Sequence, residues 1–149
     1  MARVFVGYNT YGIEGVDNDF IHFIFDMALS HAASPSDYEM GLIITSDEHI
    51  QGLNYQYRGK NQSTNILSFP DKDIKDLSFI DDPNNYLGDI YISFEHLNRE
   101  ANKLNISSKE RFAQLFVHGI LHLVGFDHQD GQDARVMENM ESRIMQAVL

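Results

Sequence analysis

The stretch His118-Gly-Ile-Leu-His122-Leu-Val-Gly125-Phe-Asp127-His128 gathers three of the chain's seven histidines into eleven residues. On a helix, His118 and His122 stand one turn apart on the same face, with Cβ atoms roughly 5–6 Å from each other. Two imidazoles at that spacing converge on one ion. Gly125 then falls where a helix needs a residue able to turn left-handed, so that the chain folds back and brings His128 to the same point. Three neutral imidazole nitrogens at about 2.0–2.1 Å fill three positions of a tetrahedral zinc and leave the fourth open, the arrangement of a catalytic site.

Two plainer readings compete. The histidines are ordinary core or capping residues, or they hold a structural zinc closed by a fourth ligand such as Asp127. The helix-face spacing, with glycine at the intervening turn, argues against the first. Asp127 equally suits a place behind a ligand histidine, orienting its ring.

The spacing His-x-x-x-His-x-x-Gly-x-x-His is also that of the metzincin zinc proteases, which carry glutamate after the first histidine as general base. This chain has Gly119 there, so the protease base is missing. The fuller string from His118 to His128 resembles the signature of the YbeY family, endoribonucleases of ribosomal RNA maturation. A second stretch, Arg58 followed by Thr64-Asn65-Ile66-Leu67-Ser68-Phe69-Pro70, is similar to that family's other signature, with Ile66 in place of valine. Leu87-Gly88-Asp89-Ile90 matches a third.

The resemblance runs from Ser46 to about His128, and the first forty residues match in pattern only. It implies a zinc-dependent, single-strand-specific endoribonuclease that processes the 3′ end of 16S ribosomal RNA and serves ribosome quality control. One Zn2+ per chain would be held by His118, His122 and His128. Partners would be single-stranded ribosomal RNA and the small ribosomal subunit with its associated proteins. Arg58 would be the functional arginine, catalytic together with His118, and Arg58 and Lys60 would bind substrate. The chemistry of Arg58 agrees: a planar guanidinium holds two phosphate oxygens at once and offsets charge building on phosphorus. No residue has a clear claim to general base, and Asp89, His96 and Asp127 stay open. The rival functions are a metal-dependent hydrolase of peptides or small phosphoesters and a non-catalytic, zinc-stabilised adaptor on the ribosome.

A chain of 149 residues, 43% apolar, is enough for one domain with a real core, here residues 1–149. It has no cysteine, so any metal must take histidine, carboxylate or backbone oxygen. No stretch approaches the roughly 18 apolar residues of a membrane span, and a cytoplasmic protein is the simplest expectation. With 22 acidic residues against 11 basic, composition votes against a phosphate backbone as partner. The distribution softens this, because the segment between Glu48 and Asp71 has no acidic residue while holding Arg58 and Lys60.

These residues need a frame. Arg3–Tyr8, Tyr38–Thr45, a strand ended by Pro70, and Tyr86–Ser93 read as four strands. Asp17 caps a helix whose apolar stripe is Phe20, Ile21, Phe23, Ile24, Met27 and Ala28, with His22 and His31 taken as ordinary surface histidines. Ser46 starts a second helix, with Ile50, Leu53 and Tyr57 as its inward side. Leu97, Ala101 and Leu104 mark a third, and the Ser107–Glu110 capping box opens the long histidine helix. A last helix from about Asp133 to Val148 carries Val136, Met137, Met140, Ile144 and Val148 on one face. Either methionine could underlie the metal, although packing is the simpler role. The expected fold is α+β, a mixed sheet of about four strands packed with helices, with a metzincin-like histidine helix and turn.

Overall fold

The computed structural model describes residues 3–32, 37–71, 85–126 and 131–149. Strand β1 (Arg3–Tyr8) leads through helix α1 (Asn18–Ala32) to β2 (Glu39–Thr45). Helix α2 (Asp47–Arg58) and strands β3 (Ile66–Pro70) and β4 (Tyr86–Ser93) follow. Three helices complete the described chain: α3 (Phe94–Leu104), α4 (Ser108–Leu123) and α5 (Gly131–Val148). The sheet order is β1-β2-β4-β3. β1 pairs with β2 and β2 with β4 in parallel, while β3 runs antiparallel to β4 at the edge. The fold is therefore α+β around a mixed four-stranded sheet.

Caps set the helix starts. Asp17 Oδ1 accepts from the Phe20 amide at 2.8 Å, and Ser46, Ser93 and Ser107 each accept from the amide three residues on. Each satisfies a backbone donor that the first turn leaves without a carbonyl partner.

One sheet face forms the core. Val4, Met40, Leu42, Ile44, Ile90 and Ile92 pack with Ile21, Ile24, Phe25 and Ala28 of α1 and with Phe112, Phe116, Val117 and Ile120 of α4. By the two-residue alternation of a strand, Phe69, Asp89 and Tyr91 point to the opposite face. There the rings of α2 meet them, His49 edge-on to Tyr91 and Tyr57 edge-on to Phe69.

Gly88 shows why β4 carries a glycine. Its φ is +132°, and a Cβ there would run into the carbonyl of Phe69 and come within 2.9 Å of the Asp71 nitrogen. The strand register also shifts beside it, between Glu39 and Gly41. A bulge and a close backbone therefore coincide at this glycine.

Several side chains depart from the expected pattern. Phe23, Tyr57, Leu104 and Val136 are exposed, because each lies at the margin of its helix's apolar stripe, and Tyr57 meets the sheet only through the edge contact with Phe69. His22 is more than a surface histidine. Its Nδ1 donates to the Asn18 carbonyl at 2.9 Å, and its Nε2 accepts from the Val4 amide at 3.1 Å, tying α1 to β1. A neutral ring with its proton on Nδ1 makes both bonds.

Candidate metal centre

Helix α4 is buried along most of its length, with Phe112, Ala113, Phe116, Val117, Gly119, Ile120 and Leu121 all enclosed. Gly119 faces the sheet. A Cβ there would stand 2.8 Å from Ile90 Cδ1, 3.0 Å from Ile66 Cδ1 and 3.3 Å from Ser68 Oγ. The helix lies so close to β3 and β4 that any side chain at 119 would have to displace the ends of Ile90 and Ile66.

His118 and His122 stand on the adjoining face of the same helix, half-buried, with ring centroids 4.5 Å apart and planes nearly perpendicular. Their Nε2 atoms are 3.0 Å apart. Two imidazole nitrogens that close must have a proton or a cation between them. Nitrogens about 2.0–2.1 Å from one tetrahedral ion would sit roughly 3.3 Å apart, so the pair fits a zinc without rearrangement of the helix.

The turn behaves as its glycine suggests. Gly125 has φ +103°, its amide donates to the His122 carbonyl at 3.1 Å, and the Phe126 amide donates to the Leu121 carbonyl at 2.9 Å. This pairing closes the end of α4 and turns the chain back. Asp127 and His128 lie outside the described residues. Among the described residues no set of three metal-binding side chains forms, and His128, the third ligand expected from the sequence, is not one of them.

A residue that sequence reading missed stands behind the first histidine. Glu141 Oε2 of α5 is 3.1 Å from His118 Nδ1. Its position was legible in principle. Met137, Glu141, Ile144 and Val148 follow helical spacing, and Met137, Ile144 and Val148 are buried, so a carboxylate falls on the inward stripe. An acidic residue on such a stripe calls for a partner.

His118 and Glu141 open onto a cavity of about 430 Å³ between α4, α5 and the start of β3, lined also by Asn65, Ile66, Arg111, Gln114, Leu115, Ser142 and Met145. Arg111, Leu115, His118 and His122 run along one face of α4 at intervals of three and four, a stripe that the sequence displays once the helix is drawn. Arg111 donates through Nε and Nη2 to Glu100 Oε1 at 3.1 and 3.0 Å, and through Nη1 to Gln114 Oε1 at 2.8 Å. Asn65 Nδ2 reaches the same Glu100 carboxylate at 3.3 Å. The network fixes the planar guanidinium at the cavity wall and leaves some of its five N–H groups uncommitted.

Arg58 and Lys60 are not among the residues lining this cavity. Arg58 is the last residue of α2, where Gly59 caps the helix at φ +70°. Its Nη2 donates to the Ser68 carbonyl at 3.1 Å, and its guanidinium lies 5.7 Å from the centre of the Phe69 ring. Ser68 also offers its Oγ to the Gly119 side of α4, so one residue of the edge strand touches both the arginine and the histidine helix. Lys60 is exposed in the loop just beyond α2.

Two of the residues considered as general base are engaged elsewhere. Asp89 accepts from the Tyr86 hydroxyl on the far face of the sheet. Burial and that carboxylate push the Tyr86 phenol well above its ordinary range. His96 Nδ1 is 3.1 Å from Asp47 Oδ1, within a cluster that also brings Ser63, Ser93 and Arg99 to the same carboxylate. Burial opposes ionisation of Asp47, but the hydrogen bonds from Ser93, Arg99, His96 and Ser63 outweigh it and hold the carboxyl well below its usual range.

Comparison with known proteins places this arrangement. The family model described as Endoribonuclease YbeY matches residues 13–149. The chain is 41% identical over 107 residues to Endoribonuclease YbeY of Rhizobium etli, covering 72% of this chain and 61% of that protein. It is 42% identical over 118 residues to the protein of the same name from Francisella tularensis subsp. novicida, covering 78% of this chain and 68% of the relative. The match thus spans somewhat under two thirds of the Rhizobium protein's length. The solution structure of TM1509 from Thermotoga maritima superposes with a TM-score of 0.62 at 22% identity, covering 99% of this chain and 89% of that one, and shares the fold. A histidine pair on a buried helix, a glycine turn after it and an arginine anchored to the edge strand are thus carried by a chain that belongs to the YbeY family.

Proposed function

We propose that this protein is a zinc-dependent endoribonuclease that cuts single-stranded RNA during maturation of small-subunit ribosomal RNA in the cytoplasm. The observation that carries this reading is the pair of Nε2 atoms of His118 and His122, 3.0 Å apart on a buried helix. His118, His122 and His128 would hold the ion. A bound zinc supplies Lewis-acid charge for a phosphoryl oxygen and acidifies nearby water.

The chain's own residues do the rest. Arg58 grips a phosphate through the fork of its guanidinium, and Lys60 adds a point charge to the same strand of RNA. Arg111, Gln114, Asn65 and Ser142 present hydrogen-bonding groups along the cavity to the nucleotide beside the scissile bond. Ile66, Leu115 and Met145 give the same cavity apolar wall against which a base can pack. These local cations offset a net acidic chain over a short run of backbone, which suits recognition of a single-stranded segment better than a long duplex.

The test incubates purified protein with labelled single-stranded RNA and, separately, with casein, with and without chelator. RNA cleavage that chelator abolishes, zinc restores and His122→Ala lacks is the expected result. Casein cleavage without RNA cleavage, or RNA cleavage indifferent to His122→Ala, overturns the proposal.

A further inference from the structure

We infer that Glu141 is a positioning residue for the metal site: it fixes the ring and the tautomer of His118, so that Nε2 keeps its lone pair pointed at the ion. The inference rests on the metal reading above.

The contact is 3.1 Å between Glu141 Oε2 and His118 Nδ1, within the range of an N–H···O hydrogen bond. A carboxylate can only accept, so the proton must reside on Nδ1. In a neutral imidazole the other nitrogen then carries no proton. That nitrogen is the one 3.0 Å from His122 Nε2. Without the carboxylate, the neutral ring is free to move its proton to Nε2, where it would occupy the place of the metal. The negative charge also makes the ring a better donor to a cation.

Glu141 can do this because its helix is held firmly. Met137, Ile144 and Val148, one turn before, just after and two turns after it, are buried in the core that α5 shares with α1 and α4. The carboxylate is 26% exposed and the His118 side chain 33%, so the bond is partly shielded from water. Holding a glutamate there costs desolvation and side-chain entropy, which an exposed surface glutamate would not lose.

The test compares wild type, Glu141→Gln and Glu141→Ala by two measurements. In metal-free protein at a pH where His118 is neutral, imidazole 15N shifts report the tautomer: Nδ1–H in wild type and in Glu141→Gln, whose amide oxygen still accepts, and a mixture with Nε2–H in Glu141→Ala. Zinc affinity, read by competition with a chromophoric chelator, falls about 10- to 100-fold in Glu141→Ala and less in Glu141→Gln. Thermal unfolding of the metal-free variants shows whether α5 stays docked, and the glutamine variant keeps the test valid if the alanine variant does not fold. An unchanged tautomer with zinc affinity within twofold of wild type overturns the inference. So does equal loss of zinc in both variants, which would make Glu141 a ligand, or loss of RNA cleavage alone, which would make it a base. If wild type takes up zinc independently of His118 and His122, the metal reading fails, while the tautomer shifts still decide the role of Glu141.

Discussion

Arg58 donates to the backbone carbonyl of Ser68 at 3.1 Å, and the side chain of Ser68 lies against the helix that carries His118 and His122. The arginine is thereby held at the edge strand by a main-chain atom that no substitution of Ser68 removes. An exposed arginine so placed contributes little to stability, since surface changes usually cost within about 0.5 kcal/mol. Arg58→Ala should leave the melting temperature nearly unchanged while lowering kcat/KM for RNA cleavage by roughly 10²- to 10³-fold. Arg58→Lys should recover only part of that, because one ammonium cannot bridge two phosphate oxygens. Full activity in the alanine variant would remove Arg58 from the site.

Removal of one imidazole tests the metal directly. His122→Ala leaves His118 Nε2 without the nitrogen now 3.0 Å away. Zinc content after dialysis, measured by mass spectrometry, should fall to background, and added zinc should not restore cleavage as it does in chelated wild type. Retention of one zinc per chain in this variant contradicts the assignment.

Gly119 gives a packing prediction. In Gly119→Ala the new methyl meets the ends of Ile90 and Ile66, which are flexible but enclosed. Overpacking costs about 1–3 kcal/mol, and the better helix propensity of alanine returns about 1 kcal/mol. A net loss of about 1 kcal/mol is expected in urea unfolding. Gly119→Glu, which restores the letter found in zinc proteases, should cost on the order of 3 kcal/mol or more by driving a carboxylate into the sheet. It should confer no casein cleavage, and measured peptidase activity would refute the claim that this side of α4 is closed.

Asp47 makes stability depend on acid. Its folded pKa lies below the ordinary value near 3.9, so its contribution is fully present above about pH 4 and is lost as the pH falls through the depressed folded value. Asp47→Asn keeps an acceptor for Ser93 and Ser63 but loses the charge that draws Arg99. At pH 7 the variant should be about 2 kcal/mol less stable, the scale of hydrogen bonds to a charged group. The gap between the two proteins should narrow as the pH drops below 4. A gap constant from pH 7 to pH 2 would show that ionisation of Asp47 plays no part.

Much of this was written in local order. Serine and aspartate at helix starts, apolar residues at helical or alternating spacing, and glycine after a helix each act within a few residues of chain, so the four strands, the helices and the histidine pair could be read without a fold. The edges of the apolar stripes were less secure, since whether Phe23, Tyr57, Leu104 or Val136 is covered depends on which element lies alongside.

What the sequence by itself determined is the kind of site: two imidazoles one helical turn apart, a third beyond a glycine turn, and no glutamate between. Only the tertiary structure decided what surrounds them. Glu141 lies 23 residues from His118, and Arg111, Asn65 and Ser142 reach one cavity from two helices and the approach to a strand. Spacing along a chain reports neighbours within a turn or a strand pair. Which distant carboxylate backs a histidine, and which face leaves no room at Gly119, are set by how closely helices and sheet pack, a distance no local pattern encodes.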